Sequence, residues 1–121
     1  AIRAGPPGSL NMNGAITIDH IYMASRPVDL RKGIDGLASI VQSLFGMDPY
    51  SHSLFIFTNS SRSRLKILYY DGTGYWLLLK RMDEGRFKWR IESSDTVSIS
   101  QQQFARLIHG LAVSGGSYRF S

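Results

Sequence analysis

The sequence predicts an α+β domain: an antiparallel β-meander of about four to five strands, with one helix packed on one face and a short C-terminal helix. Three observations carry this. Four β-rich runs, "SLFIFT", "RLKILYYD", "GYWLLLKRM" and "RFKWRI", are divided by the tight-turn signals "NSSR", "DGTG" and "DEG". Before them, Leu30, Ile34, Leu37, Val41, Leu44 and Phe45 recur at three- and four-residue spacing, which makes one helical face. After them, Ser100 and Gln103 match a capping box that opens a second stripe, Phe104, Leu107, Ile108 and Leu111.

In chain order, "AIRAGPPGSLN" is rich in Gly, Pro and Ser and has no apolar period, so residues 1–11 read as a flexible leader or an expression remnant, and 12–121 as one domain. "AITIDHIYMAS" has the β-branched and aromatic content of a single strand ended by Pro27. The first helix is expected over Asp29 to Phe45, with the Asp29 carboxylate as N-cap, Gly46 as the stop, and "MDPY" turning the chain away. "TVSIS" supplies a short strand before the second helix, which Gly110 ends, and the closing "SGGSYRFS" reads as a loose tail.

Apolar residues at 43% and charged residues at 19% match an ordinary globular domain, which excludes disorder, collagen and coiled coil. The longest apolar run, "YWLLL", is far short of a membrane span. The absence of cysteine removes disulfides and thiolate metal sites, and the cytoplasm is the expected compartment. Fourteen Lys and Arg against nine Asp and Glu favour a polyanionic partner. Eight of those fourteen lie between Arg62 and Arg90, against only Asp71, Asp83 and Glu84, so the partner is expected there.

Strand alternation sharpens this. Leu65, Ile67 and Tyr69 share one face of their run, while Arg62, Arg64, Lys66, Leu68 and Tyr70 share the other. If "DGTG" places Tyr70 opposite Tyr75, then Leu68 faces Leu77 and Arg64 faces Arg81. Three strands then present Arg62, Arg64, Lys66, Arg81, Arg86, Lys88 and Arg90 on one surface, with Tyr70 and Tyr75 at the hairpin tip. The opposite face, which includes Trp76, Leu78, Phe87 and Trp89, is expected to pack under the first helix. Such cations either keep the sheet soluble and blunt its edges, contact phosphates, or meet an acidic protein.

The stretch "RPVDLRKGIDG" places Arg31 and Lys32, with Gly33 and Gly36, in the expected first helical turn, against the helix dipole and against helix propensity. One reading is an anion pocket of open N–H groups flanked by cations. The other pairs Arg31 with Asp35 and uses the glycines for close packing.

His20, His52 and His109 fall in separate elements without ligand spacing, and Asp29, Asp71 and Asp83 sit at caps or turns. No nucleophile elbow, Walker loop or dinucleotide fingerprint is present. The residues therefore indicate no enzyme, no metal and no cofactor.

"IYMASRPVDLRKGIDGLASIVQ", "DPYSHSLFIFTN", "RLKILYYDGTGYWLLLKRMDEGRFKW" and "VSISQQQFARLIHGL" resemble, in order and spacing, the TnpB accessory-protein family of bacterial insertion sequence 66 (IS66) elements. This family is distinct from the RNA-guided nuclease that shares the label. The resemblance runs from about Asp19 to Leu111, and it supplies no catalytic residues. It implies a small protein encoded beside a separate transposase and needed for efficient transposition. Its expected partners are DNA, met mainly through backbone contacts on the basic face, and that transposase. The alternative is an adaptor that recruits or regulates the transposase without touching DNA.

Overall fold

The computed structural model describes residues 10–12, 16–89 and 91–111. The expected leader lies outside the described residues up to residue 9, as do Arg90 and the tail from residue 112. Leu10–Met12 (β1) pairs antiparallel with Ile16–Ile18 (β2), so the last two residues assigned to the leader take part in a two-stranded ribbon. The expected single strand at residues 15–25 divides at Asp19 into β2 and His20–Ala24 (β3).

The main sheet has five strands in the order β6-β5-β4-β3-β7, formed by β3, Ser53–Thr58 (β4), Arg64–Tyr70 (β5), Tyr75–Arg81 (β6) and Thr96–Ile99 (β7). Strands β4, β5 and β6 form an antiparallel meander, and Tyr70, Leu68 and Arg64 lie opposite Tyr75, Leu77 and Arg81 as the turn chemistry predicts. Strand β3 departs from the meander. It runs parallel to β4, joined through the helix Ile34–Ser43 (α1), while β7 returns antiparallel on its other side. The helix Gln101–Ile108 (α2) follows β7 and begins with the expected capping box.

Each of the six β4 residues is buried, so the sheet is a middle layer with apolar side chains on both faces. On one face Ala24, Phe55, Phe57 and Leu68 pack against Leu37 and Val41 of α1. On the other, Ile21, Met23, Leu54, Ile56, Leu65, Ile67 and Tyr69 pack against Phe87, Trp89 and Leu107 of α2.

This arrangement corrects two expectations. Helix α1 covers the Lys66, Leu68 and Tyr70 side of β5, the side expected to be the open basic face, because Leu68 and Leu77 continue the apolar surface begun by Phe55 and Phe57. The run "RFKWRI" is also no fourth meander strand. Gly85, at φ +75°, turns the chain off β6; the Phe87 N–H donates to the Arg62 carbonyl at 2.8 Å and the Trp89 indole to the Ala24 carbonyl at 2.7 Å. The segment therefore crosses the sheet from the β5 end to the β3 end, sealing the second core where a paired strand would extend the edge.

Helix α1 begins four residues later than expected, with its N-cap at Gly33 where Asp29 was expected. Asp29 caps a preceding turn: its carboxylate accepts from the Arg31 N–H at 3.0 Å and its carbonyl from the Lys32 N–H at 3.2 Å. Gly33, in extended conformation, is the N-cap, with no side-chain capping bond. Arg31 and Lys32 thus precede the helix and do not oppose its dipole, while Asp35 in the first turn favours it.

Asp71 organises the β5–β6 hairpin. Its carboxylate accepts from the Thr73 N–H and hydroxyl, both at 2.8 Å, the Gly74 N–H at 3.0 Å and the Trp76 indole at 2.8 Å. These bonds, led by the Thr73 N–H, hold its carboxyl well below the usual range. A depressed folded-state value contributes stability above the unfolded value near 3.8 and loses it as pH falls through the folded value. Asp71→Asn is expected to flatten the fall in Tm between about pH 4 and pH 2 relative to wild type, read by circular dichroism. Phe87→Ala is expected to cost about 3–5 kcal/mol in urea unfolding, the cost of a core aromatic and well beyond that of a surface strand residue.

Candidate nucleic-acid interface

Since α1 covers the centre of its face, the cations that β5 and β6 place on that face emerge only past its N-terminal end, while Lys80, on the other face, donates to the Ile108 carbonyl of α2. There the loop at residues 27–31, the β4–β5 turn and the ends of β5 and β6 enclose a groove of about 920 Å³. Arg31, Arg64, Lys66 and Arg81 line it, together with Asp29 and Asp83. Arg64 and Arg81 are cross-strand partners, so their like charges are placed directly opposite.

The four cations are not equivalent. Arg31 forms a forked pair with Asp29, from Nε at 3.0 and 3.2 Å and Nη2 at 2.9 Å, and this pair holds the Asp29 carboxyl at about 2. The partner is Asp29 and not the Asp35 expected from helical spacing. The Lys66 ammonium donates to the carbonyls of Leu30 at 2.6 Å and Lys32 at 3.1 Å, so its role is to tie the loop onto β5. Arg81 reaches Asp83 only at 4.0 Å, with both groups exposed. Among the described residues, Arg64 has no ion pair and is the least encumbered of the set.

The remaining expected residues are dispersed. Arg62 lies exposed in the β4–β5 turn at φ +58°, and Lys32 is exposed outside the groove lining. Arg86 and Lys88 are exposed on the crossing segment, alternating with buried Phe87 and Trp89, and Arg90 lies outside the described residues. The expected single surface of seven cations on three strands is therefore replaced by a groove at one end of the sheet. Tyr70 and Tyr75 are at the other end, about 20 Å away along β5 at the usual strand rise.

A third aromatic joins them. The Tyr50 ring lies 5.0 Å from that of Tyr70 and 5.6 Å from that of Tyr75, and the Tyr70 and Tyr75 rings are 5.0 Å apart. Burial, with the neighbouring Tyr50, pushes the Tyr75 phenol up to about 12. Tyr50 is the most exposed of the three, and its only sequence signal is an aromatic directly after the Pro49 turn.

Among the described residues, no group of three or more His, Asp or Glu is gathered as a metal would require, and no helix is long and apolar enough to cross a membrane. The class defined so far is a small α+β domain with a basic groove. The family described as "IS66 Orf2 like protein" matches residues 19–116, and the chain belongs to that family, the accessory proteins of insertion sequences. Two relatives from Sinorhizobium fredii (strain NBRC 101917 / NGR234) are similar to it. "Uncharacterized protein y4hO" is 35% identical over 75% of this chain and 79% of its own length. "Uncharacterized protein y4jC" is 34% identical over 75% of this chain and 78% of its own length. No solved structure matches.

Replacing Asp29 by Asn removes the carboxylate charge and keeps an acceptor for the Arg31 N–H. This variant is expected to bind duplex DNA more tightly at low salt, with a log–log salt slope steeper by about one, in fluorescence anisotropy.

Proposed function

We propose that this transposition accessory protein binds DNA through the groove between the loop at 27–31 and the ends of β5 and β6, with the transposase of the same element as its protein partner. The observation that carries the reading is the convergence of Arg31, Arg64, Lys66 and Arg81 on one groove, where four cations outnumber two carboxylates. Guanidinium groups contact phosphate oxygens in a forked geometry, and phosphate contacts carry no sequence information, so binding is weakly sequence-selective and strongly salt-dependent. Family membership supports the setting in transposition. We assign no catalytic step.

With Lys66 held by backbone carbonyls and Arg31 paired with Asp29, roughly two cations remain for phosphates, giving a log–log salt slope of about −2. The double variant Arg64→Glu/Arg81→Glu is expected to lose at least about tenfold in duplex affinity at low salt with an unchanged circular dichroism spectrum. Arg86→Glu/Lys88→Glu, on the crossing segment, is expected to lose less. Unchanged affinity in the first double variant sinks the reading. If that variant still captures purified transposase after nuclease treatment while wild type never binds DNA, the adaptor reading replaces it.

A further inference from the structure

Strand β6 ends the sheet, and it is unusually open for an edge. It pairs only with β5, and Trp76, Leu78 and Leu79 are 48%, 52% and 59% exposed. An edge of this length, with large apolar side chains and no proline, is a template for another strand unless something covers it.

The hydrogen-bond parity of β6 is fixed. The Met82 N–H donates to the Ser63 carbonyl, and the antiparallel alternation that follows turns Lys80, Leu78 and Trp76 towards β5. The main-chain groups of Tyr75, Leu77, Leu79 and Arg81 therefore point outwards, and among the described residues no other strand pairs with them.

We propose that a second copy of this chain covers this edge, β6 pairing antiparallel with β6 about a twofold axis at Leu78. In this register the outward-pointing residues meet in hydrogen-bonded pairs, Tyr75 with the partner's Arg81 and Leu77 with the partner's Leu79, giving about eight main-chain bonds in all. Shifting the register in either direction loses pairs. The side chains agree with it. Leu78 meets its symmetry mate, Tyr75 meets the partner's Arg81, and Trp76 meets the stem of the partner's Lys80, whose ammonium donates to its own chain's Ile108 carbonyl, so no cation faces another. Parallel pairing would set Lys80 and Arg81 beside their own copies.

One consequence concerns the groove. A twofold axis perpendicular to the sheet keeps like faces together, so the partner's Tyr75 is placed next to Arg81. The cations and tyrosines that lie at opposite ends of one chain become neighbours across the pair. The dimer itself does not depend on the DNA reading.

The chain has no cysteine, which makes a clean test available. The full chain at tens of micromolar is expected to sediment as a dimer by analytical ultracentrifugation. Leu79→Pro removes an outward N–H that β5 does not use and is expected to give a folded monomer, with its Tm confirming the fold. Leu78→Cys places two thiols opposite each other in a non-hydrogen-bonded pair and is expected to form a disulfide-linked dimer under mild oxidation, whereas Leu77→Cys, offset from its own copy, is not. A monomeric wild type overturns the proposal. So does a dimer that persists in Leu79→Pro and fails to cross-link through Leu78→Cys. Loss of DNA binding with the dimer intact would leave it standing and count only against the groove.

Discussion

Burial of β4 on both faces is the constraint from which the rest of the architecture follows. With Leu54 and Ile56 on one side and Phe55 and Phe57 on the other, neither face of the sheet centre can meet water. Each buried aliphatic or aromatic side chain contributes about 1.5–3 kcal/mol, so covering both sides outweighs the gain from one more edge strand. Helix α1 supplies one cover through Leu37 and Val41, and Phe87, Trp89 and Leu107 supply the other. The parallel β3–β4 pair is a product of the same constraint, because a helix laid over the sheet between two strands brings the chain back in its original direction.

The double cover also decides where charge can go. Cations cannot sit over the centre of the face that α1 covers, so those of β5 and β6 on that face collect where α1 ends, and Lys80 on the other face is taken up by the Ile108 carbonyl of α2. Arg64 and Arg81 project there. Lys66, one step nearer the core, has its ammonium taken up by the carbonyls of Leu30 and Lys32. That interaction is what fixes the loop carrying Asp29 and Arg31 against β5, and so it shapes the groove even though Lys66 itself is largely spent. The Asp29 pair then positions the Arg31 guanidinium at the groove wall.

Local signals in the sequence were legible in proportion to how locally they act. The capping box at Ser100 and Gln103, the Asp71 turn and the β5–β6 register each involve groups a few residues apart, and each is found as read. Start positions and partners decided over longer distances were not legible. The pairing of Arg31 with Asp29 is local too, but it follows from where the helix starts: with α1 beginning at Ile34, Arg31 lies in the preceding turn and the i to i+4 spacing to Asp35 does not apply. Alternation in "RFKWRI" correctly separated Phe87 and Trp89 from Arg86 and Lys88, yet alternation is shared by any extended chain with one buried side, paired or not. Only the bonds to the Arg62 and Ala24 carbonyls, made across the sheet, distinguish a crossing segment from a strand. The assignment of α1 to a face failed for a related reason: Leu68 and Leu77 were counted with the cations on their parity, when their neighbours Phe55 and Phe57 made that parity apolar.

The two ends of the β5–β6 ribbon carry different chemistry, and this bears on how a domain of this size engages a long polyanion. On the proposed DNA reading, a single groove with roughly two available cations would hold a duplex only weakly at physiological salt, since each phosphate contact adds about one counterion to the salt dependence. Two such grooves on one continuous face change the arithmetic: the second contact becomes intramolecular, and its effective concentration, not its own affinity, sets the gain. In the β6 pairing proposed above, the two copies of Arg81 lie about 20 Å apart along the ribbon, from six residues at the usual strand rise. The aromatic cluster of one copy then lies beside the cations of the other, an arrangement in which rings stack or bond to sugars and bases while guanidinium groups hold phosphates. An isolated chain has both components and holds them too far apart to act on the same nucleotide.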